Sequence, residues 1–194
     1  MLTELPNLLT LARIAAIPLL VVFAGLHTPL ADITACAVFA LAGITDYFDG
    51  KLARERKQTS DLGRMLDPIA DKLLVGATLM MLVGEHRLGP AGLYPAIVIM
   101  LREILVSGLR EYLAALRISL PVTQLAKWKT GFQMAALGTL LAGDSGASVI
   151  HLDVLPVSII GAILLWAAAL LTLITGWDYL RAGLRHAGVS GLGD

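Results

Sequence analysis

Four aspartates have the types and spacing to act together. Asp46 and Asp49 are three residues apart, and Asp67 and Asp71 are four apart. On a helix, either spacing puts both carboxylates of a pair on one face. Both pairs border strongly apolar segments, where an ionised side chain is costly and is usually kept for function. Four carboxylates brought to one place repel each other unless cations neutralise them. Oxygen-only donors suit hard divalent ions such as Mg²⁺ or Mn²⁺. The alternative is four unrelated interfacial carboxylates, each neutralised by a neighbouring Lys or Arg.

A second charged set lies further along the chain. Arg102 and Glu103 sit inside an apolar run, and Arg110 follows Arg102 by eight residues, hence on roughly the same helical face. Lys127 and Lys129 open the next apolar run. A buried cation needs an anionic partner. That partner is either an anionic ligand or an internal acid, through pairs such as Arg102 with Glu111 or Glu103 with Arg110.

The elements that must position these groups follow from composition. Of 194 residues, 57% are hydrophobic and 15% charged, and mean hydropathy is +0.77. Soluble domains have about 45–50% apolar and about 25% charged residues. So apolar a chain is neither disordered nor an ordinary soluble domain, and the single cysteine, Cys36, excludes a disulfide scaffold. Fifteen basic and fifteen acidic residues give no net charge, so there is no overall pull towards nucleic acid. The class expected is an all-α integral membrane protein, one unit over residues 1–194.

Six apolar segments are long enough to cross a bilayer, or nearly so: 8–26, 30–48, 68–83, 91–112, 128–142 and 154–177. Thr28-Pro29, Gly89-Pro90 and Gly143-Asp144-Ser145-Gly146 separate them in pairs. Asp67-Pro68 reads as a helix start, aspartate capping and proline at the first helical position. The first segment does not read as a cleaved signal, since it lacks a basic leader and contains Arg13. Lys51, Arg54, Arg56, Lys57 and Arg64 lie between segments two and three; Arg117 and Lys127 lie between four and five; Arg181 and Arg185 lie in the tail. The opposite loops hold only Arg87. The positive-inside rule then predicts both termini, both basic linkers and the aspartates on the cytoplasmic side of a plasma (inner) membrane. Trp177 and Tyr179 read as an interfacial belt pair, Asp61 as a solvated linker charge, and the four histidines as loop or tail residues without a role.

From Asp46 to Asp71 the chain reads D-x2-D-G-x2-A-R-x8-G-x3-D-x3-D, formed by Asp46, Asp49, Gly50, Ala53, Arg54, Gly63, Asp67 and Asp71. This resembles the signature of the CDP-alcohol phosphotransferase family at all eight positions. The resemblance implies a divalent two-metal site on Asp46, Asp49 and Asp67, adjoined by Asp71, which acts as general base on the acceptor hydroxyl. It places Gly50 and Arg54 on the CDP moiety, with Ser60 beside them, and it implies a homodimer. The residue chemistry agrees: glycine lets a nucleotide approach the backbone, and arginine can fork onto diphosphate oxygens. Asn7 and Thr10 either touch the cytidine or cap the first helix.

Three flanking stretches, Pro6–Arg13, Arg102–Glu111 and Lys127–Met134, resemble the bacterial branch of the family that uses CDP-diacylglycerol and glycerol 3-phosphate. On that branch Arg110, Lys127, Lys129 and Arg102 bind the acceptor phosphate. Inositol phosphate or serine as acceptor is the nearest alternative. A divalent-cation transporter would use the same carboxylates but would have no need of Gly50, Ala53 and Arg54.

Overall fold

The computed structural model describes residues 5–56, 61–116 and 124–186, and side chains outside 5–7, 47–56, 61, 62, 64 and 182–186. Among the described residues the chain is entirely helical, with α1 (Leu5–Ala24), α2 (Pro29–Arg56), α3 (Asp61–Gly84), α4 (Leu93–Ala115), α5 (Gln124–Val149) and α6 (Val157–His186). Two of these, α2 over Pro29–Asp46 and α6 over Val157–Arg181, are long and apolar enough by composition to cross a membrane, and Leu8–Ala24 of α1 is a shorter apolar stretch.

Consecutive helices alternate in direction, and side-chain bonds at the two ends show it. At one end Arg87, just after α3, reaches the carbonyls of Ala24 (3.2 Å) and Leu141 (2.9 Å) and the carboxylate of Asp32 near the start of α2 (2.6 Å). Ser145 donates to the other oxygen of Asp32 at 2.6 Å, and Asp144 accepts the backbone N–H of Ser158 at the start of α6, at 3.0 Å. The ends of α1, α3 and α5 thus meet the starts of α2 and α6. The opposite end gathers Thr10, Asp46, Asp67 and the charged parts of α4, α5 and α6.

α5 is the central helix, packed on α6 and α2, while α1 bridges α2 and α3 and α4 leans on α6. The core between them holds Leu20, Phe39, Leu74, Leu79, Leu82, Ile99, Leu137, Leu140, Leu141 and Leu165. Small buried residues, Ala136 on α5 and Ala168 and Ala169 on α6, let backbones approach closely. Among apolar surroundings, such close packing is what holds helices together. Leu30, Met80, Ile163 and Trp177 point outward and are more than half exposed.

Several boundaries differ from the sequence expectation. α2 continues through the signature to Arg56, and α3 begins at Asp61, so the basic linker is largely helical. Pro68 therefore lies inside α3 and Asp67 does not cap it. Proline removes only its own N–H bond to the preceding turn, and the Asp67 carboxylate is taken by Thr10 instead. Asp61 is the first residue of α3 and so not in the linker; its side chain lies outside the described residues. α5 passes the expected break: Gly143 has φ 58°, ψ −175°, and helix resumes from Asp144 to Val149. Only glycine takes that backbone without strain, so the chain kinks there and does not end. α6 starts at Val157, after Pro156. Tyr179 is 6% exposed, so it is not a belt residue, whereas Trp177 beside it is 65% exposed; the α6 helix turns Tyr179 inward onto α4. His27, His86 and His151 each sit two or three residues past a helix end, in the left-handed region (φ 53–57°), which histidine tolerates better than most residues.

Candidate active site

The signature carboxylates come from α2, at and just beyond the end of its apolar part, and from the second and third turns of α3. Asp46 accepts a salt bridge from Arg13 at 2.7 Å. Thr10 donates its hydroxyl to Asp67 at 2.5 Å. Thr10 and Arg13, three apart on α1, are both buried, at 2% and 3% exposure. α1 thus presents one donor to each half of the signature. Asp71 lies one turn beyond Asp67, within electrostatic reach of Asp46 and Glu103 on one side and Arg13 and Lys129 on the other.

Among the described residues, no three His, Cys, Asp or Glu side chains converge closely enough to hold a metal by themselves. The side chain of Asp49, the fourth carboxylate of the set, lies outside the described residues. The donor chemistry nevertheless fits a hard divalent ion. Asp46 and Asp67 offer only oxygens, and both already draw a cation or a hydroxyl donor.

Next to Asp71 opens a cavity of about 200 Å³, between α3, α4, α5 and α6. Its charged lining is Asp71, Lys72, Arg102, Glu103, Arg110 and Lys129, four cations against two carboxylates. Glu103 forms an ion pair with Lys129 of α5 and lies 3.6 Å from Arg102. Glu103 therefore takes the buried lysine, not Arg110, and Arg102 turns from Glu111 to bond Thr175 of α6 at 2.9 Å. The guanidiniums of Arg102 and Arg110 lie 5.8 and 5.7 Å from the centre of the Tyr179 ring, within cation–π range. Gly176 makes room for this arrangement: a Cβ there would lie 3.0 Å from Arg102 Cγ. The Nε of Arg102 is buried with no hydrogen-bond partner among the described residues.

Of the residues singled out in the sequence, the structure brings Asp71, Arg102, Arg110 and Lys129 onto one cavity, with Thr10, Asp46 and Asp67 linked beside it. Lys127 is exposed and is not part of the cavity lining. The backbones of Asn7, Asp49, Gly50 and Arg54 belong to α1 and α2, but their side chains lie outside the described residues, and Ser60 lies outside them altogether. Sequence reading missed Arg13 as the partner of Asp46, Tyr179 and Thr175 as partners of Arg102, and Lys72 and Gln133 in the cavity wall. Arg13 was signalled as a charge inside an apolar run and, like Gln133, lies in a stretch that resembles the bacterial branch; for Tyr179 and Thr175 there was no signal, since each looks like an ordinary helix residue.

Comparison with known proteins identifies the family. The model of the family described as CDP-alcohol phosphatidyltransferase matches residues 3–174. A protein of Rickettsia bellii named CDP-diacylglycerol–glycerol-3-phosphate 3-phosphatidyltransferase is 48% identical over 92% of this chain and 94% of its own length. Proteins of the same name from Cereibacter sphaeroides and Salmonella choleraesuis are 40% and 41% identical, over 94% and 92% of this chain and 96% and 94% of their own lengths. With the full signature on α2 and α3 and a match running nearly from end to end, this chain belongs to the CDP-alcohol phosphatidyltransferase family.

Proposed function

We propose that the protein transfers the phosphatidyl group of CDP-diacylglycerol to glycerol 3-phosphate, releasing CMP and forming phosphatidylglycerophosphate. The observation that carries the acceptor is the charge surplus of the cavity beside Asp71. Arg102, Arg110, Lys72 and Lys129 face only two carboxylates, which leaves two positive charges for a phosphate dianion. Lys129 is buried, Arg102 and Lys72 are half-buried and Arg110 stands exposed at the mouth; cations held partly out of water draw an anion to them. Free serine brings no phosphate to meet it. The names of the relatives, at 40–48% identity over most of the chain, support the same acceptor.

In this reading Asp46, Asp49, Asp67 and Asp71 hold two divalent ions, Mg²⁺ or Mn²⁺. When bound, those ions neutralise the diphosphate and stabilise the departing CMP. Gly50, Arg54 and Ser60, with Asn7 and Thr10 from α1, receive the CDP end. Arg102 and Arg110 fix the acceptor phosphate, with Lys129, paired to Glu103, on the same cavity wall; Lys127, exposed and outside the lining, takes no part in binding it. Asp71, between the signature and the cavity, then faces the acceptor's primary hydroxyl. It orients that hydroxyl towards the β-phosphorus and receives its proton as the new P–O bond forms and the bond to CMP breaks. No side chain needs to be phosphorylated on the way. Catalysis is positioning and charge stabilisation.

The same reading has six membrane spans in one unit, the signature end facing the cytoplasm, both termini on that side of the plasma (inner) membrane, and two copies per functional particle. The lipid substrate reaches the site sideways and the soluble acceptor from the cytoplasm.

The test is CMP release by the purified protein in detergent with CDP-diacylglycerol and Mg²⁺. Release should require glycerol 3-phosphate and vanish in Asp71→Asn, with thermal unfolding of the variant as the check on its fold. Release with inositol phosphate or serine in place of glycerol 3-phosphate would overturn the acceptor. A folded protein giving no CMP with any acceptor, but carrying divalent ions into liposomes, would overturn the catalytic reading.

A further inference from the structure

One polar group in the cavity has no task in that scheme. Gln133 lies on α5 one helical turn after Lys129, lines the same cavity as Asp71, Arg102 and Arg110, and is only 3% exposed. Its Oε1 is buried with no hydrogen-bond partner among the described residues. Buried amides are nearly always paired, and leaving one unpaired is costly. Its neighbours do not use it: Lys129 is spent on Glu103, and Thr130 donates to the carbonyl of Ala126 at 3.1 Å. The unpartnered atom is the amide oxygen, an acceptor, which cannot bond an ionised phosphate. The amide suits a group that both donates and accepts, which is what an alcohol does.

We propose that Gln133 is a specificity-determining residue that hydrogen-bonds the secondary hydroxyl of the acceptor. The inference rests on the acceptor reading above. With the phosphate on Arg102 and Arg110 and the primary hydroxyl at Asp71, the middle hydroxyl of glycerol 3-phosphate is the one polar group left without a partner. Gln133 is itself only 3% exposed, so a hydroxyl bonded to it lies against the buried wall of the cavity. A site built to bond a hydroxyl rejects the analogue lacking it, because the protein group is then stranded.

The probe is propane-1,3-diol monophosphate, which keeps the phosphate and the primary hydroxyl and lacks only the middle one. With the full-length enzyme, kcat/KM for this analogue should fall roughly 10- to 100-fold below that for glycerol 3-phosphate. Gln133→Met should bring glycerol 3-phosphate down to nearly that level while leaving the analogue within about threefold of its wild-type rate. The analogue rate reports that the variant is folded and chemically competent. A wild-type enzyme indifferent to the middle hydroxyl overturns the assignment, whatever the variants do. So does an unchanged preference in Gln133→Met or, if that protein does not fold, in Gln133→Ala. Failure of the acceptor reading is distinct: the wild type would then release no CMP with glycerol 3-phosphate at all.

Discussion

Replacing Arg110 by glutamine tests where the acceptor phosphate docks. Arg110 lines the cavity, is exposed at its mouth, and has no carboxylate partner among the described residues; its one contact is the Tyr179 ring at 5.7 Å. An exposed cation–π contact is worth about 0.5–1 kcal/mol, so the variant should unfold within a few degrees of wild type. Its effect should fall on substrate binding. A charge-assisted hydrogen bond to phosphate contributes about 1.5–3 kcal/mol. Because Arg110 is exposed, solvent and salt screen it, and the lower end applies. Tenfold in binding corresponds to about 1.4 kcal/mol, so KM for glycerol 3-phosphate should rise roughly tenfold. The KM for CDP-diacylglycerol should not move, and kcat should stay within about threefold, because the contact is the same in ground and transition states. Steady-state CMP release, varying one substrate at a time, measures all three. Raising the salt concentration should shrink the difference between the two proteins. If KM for CDP-diacylglycerol rises and that for glycerol 3-phosphate does not, the cavity serves the nucleotide and the assignment of its cations is wrong.

Glu103→Gln should destabilise the fold by about 3–5 kcal/mol, because it strands the buried Lys129; adding Lys129→Met should recover much of that loss in detergent thermal unfolding. Thr10→Val removes the 2.5 Å bond that fixes Asp67 and should raise the Mg²⁺ concentration for half-maximal activity by roughly tenfold or more, with little change in unfolding temperature. At the opposite end, the backbone N–H of Ser158 holds the Asp144 carboxyl below its ordinary value. A carboxylate depressed in the folded state stabilises above its unfolded pKa and loses that contribution as pH falls through the folded value. Asp144→Ala should therefore unfold earlier than wild type at neutral pH, and the gap should narrow below about pH 4.

The signature was legible because its chemistry is written in contiguous residues with fixed helical spacing. Asp67 and Asp71 share a face whatever the rest of the chain does. The segments were legible because apolar length is a local property, as Val157–Arg181 illustrates. Boundaries were less so. Nothing local distinguishes a proline that opens a helix from one tolerated in its second turn, and Pro68 proved to be the second kind because α1 supplies Asp67 with a donor. The cavity was half legible. Arg102, Arg110 and Lys129 announced themselves as charges at apolar positions. Their partners did not, since Tyr179 and Thr175 carry no charge and acquire meaning only when α6 packs against α4. The pairing of Glu103 with Lys129 joins α4 to α5, a relation that spacing along one helix cannot contain.

Both ends of the bundle bury charge, and they do so in opposite ways. At the end holding Arg87, donors and acceptors are matched within the protein. The guanidinium binds one carboxylate and two carbonyls, and Ser145 takes the second oxygen of Asp32. Such a cluster ties four segments together and asks for no ligand. In the cavity beside Asp71, cations outnumber acids, and among the described residues the Nε of Arg102 has no acceptor and the Gln133 oxygen has no donor. Unmatched buried groups cost stability, typically about 1–3 kcal/mol each. A fold that satisfies one end and leaves the other unsatisfied places that cost where a substrate can remove it. The same imbalance makes the acceptor's contribution measurable: glycerol 3-phosphate should raise the unfolding temperature of the wild type, and should do so less in Arg110→Gln and Gln133→Met. Equal stabilisation of all three proteins would mean that the unmatched groups are met by something other than the acceptor.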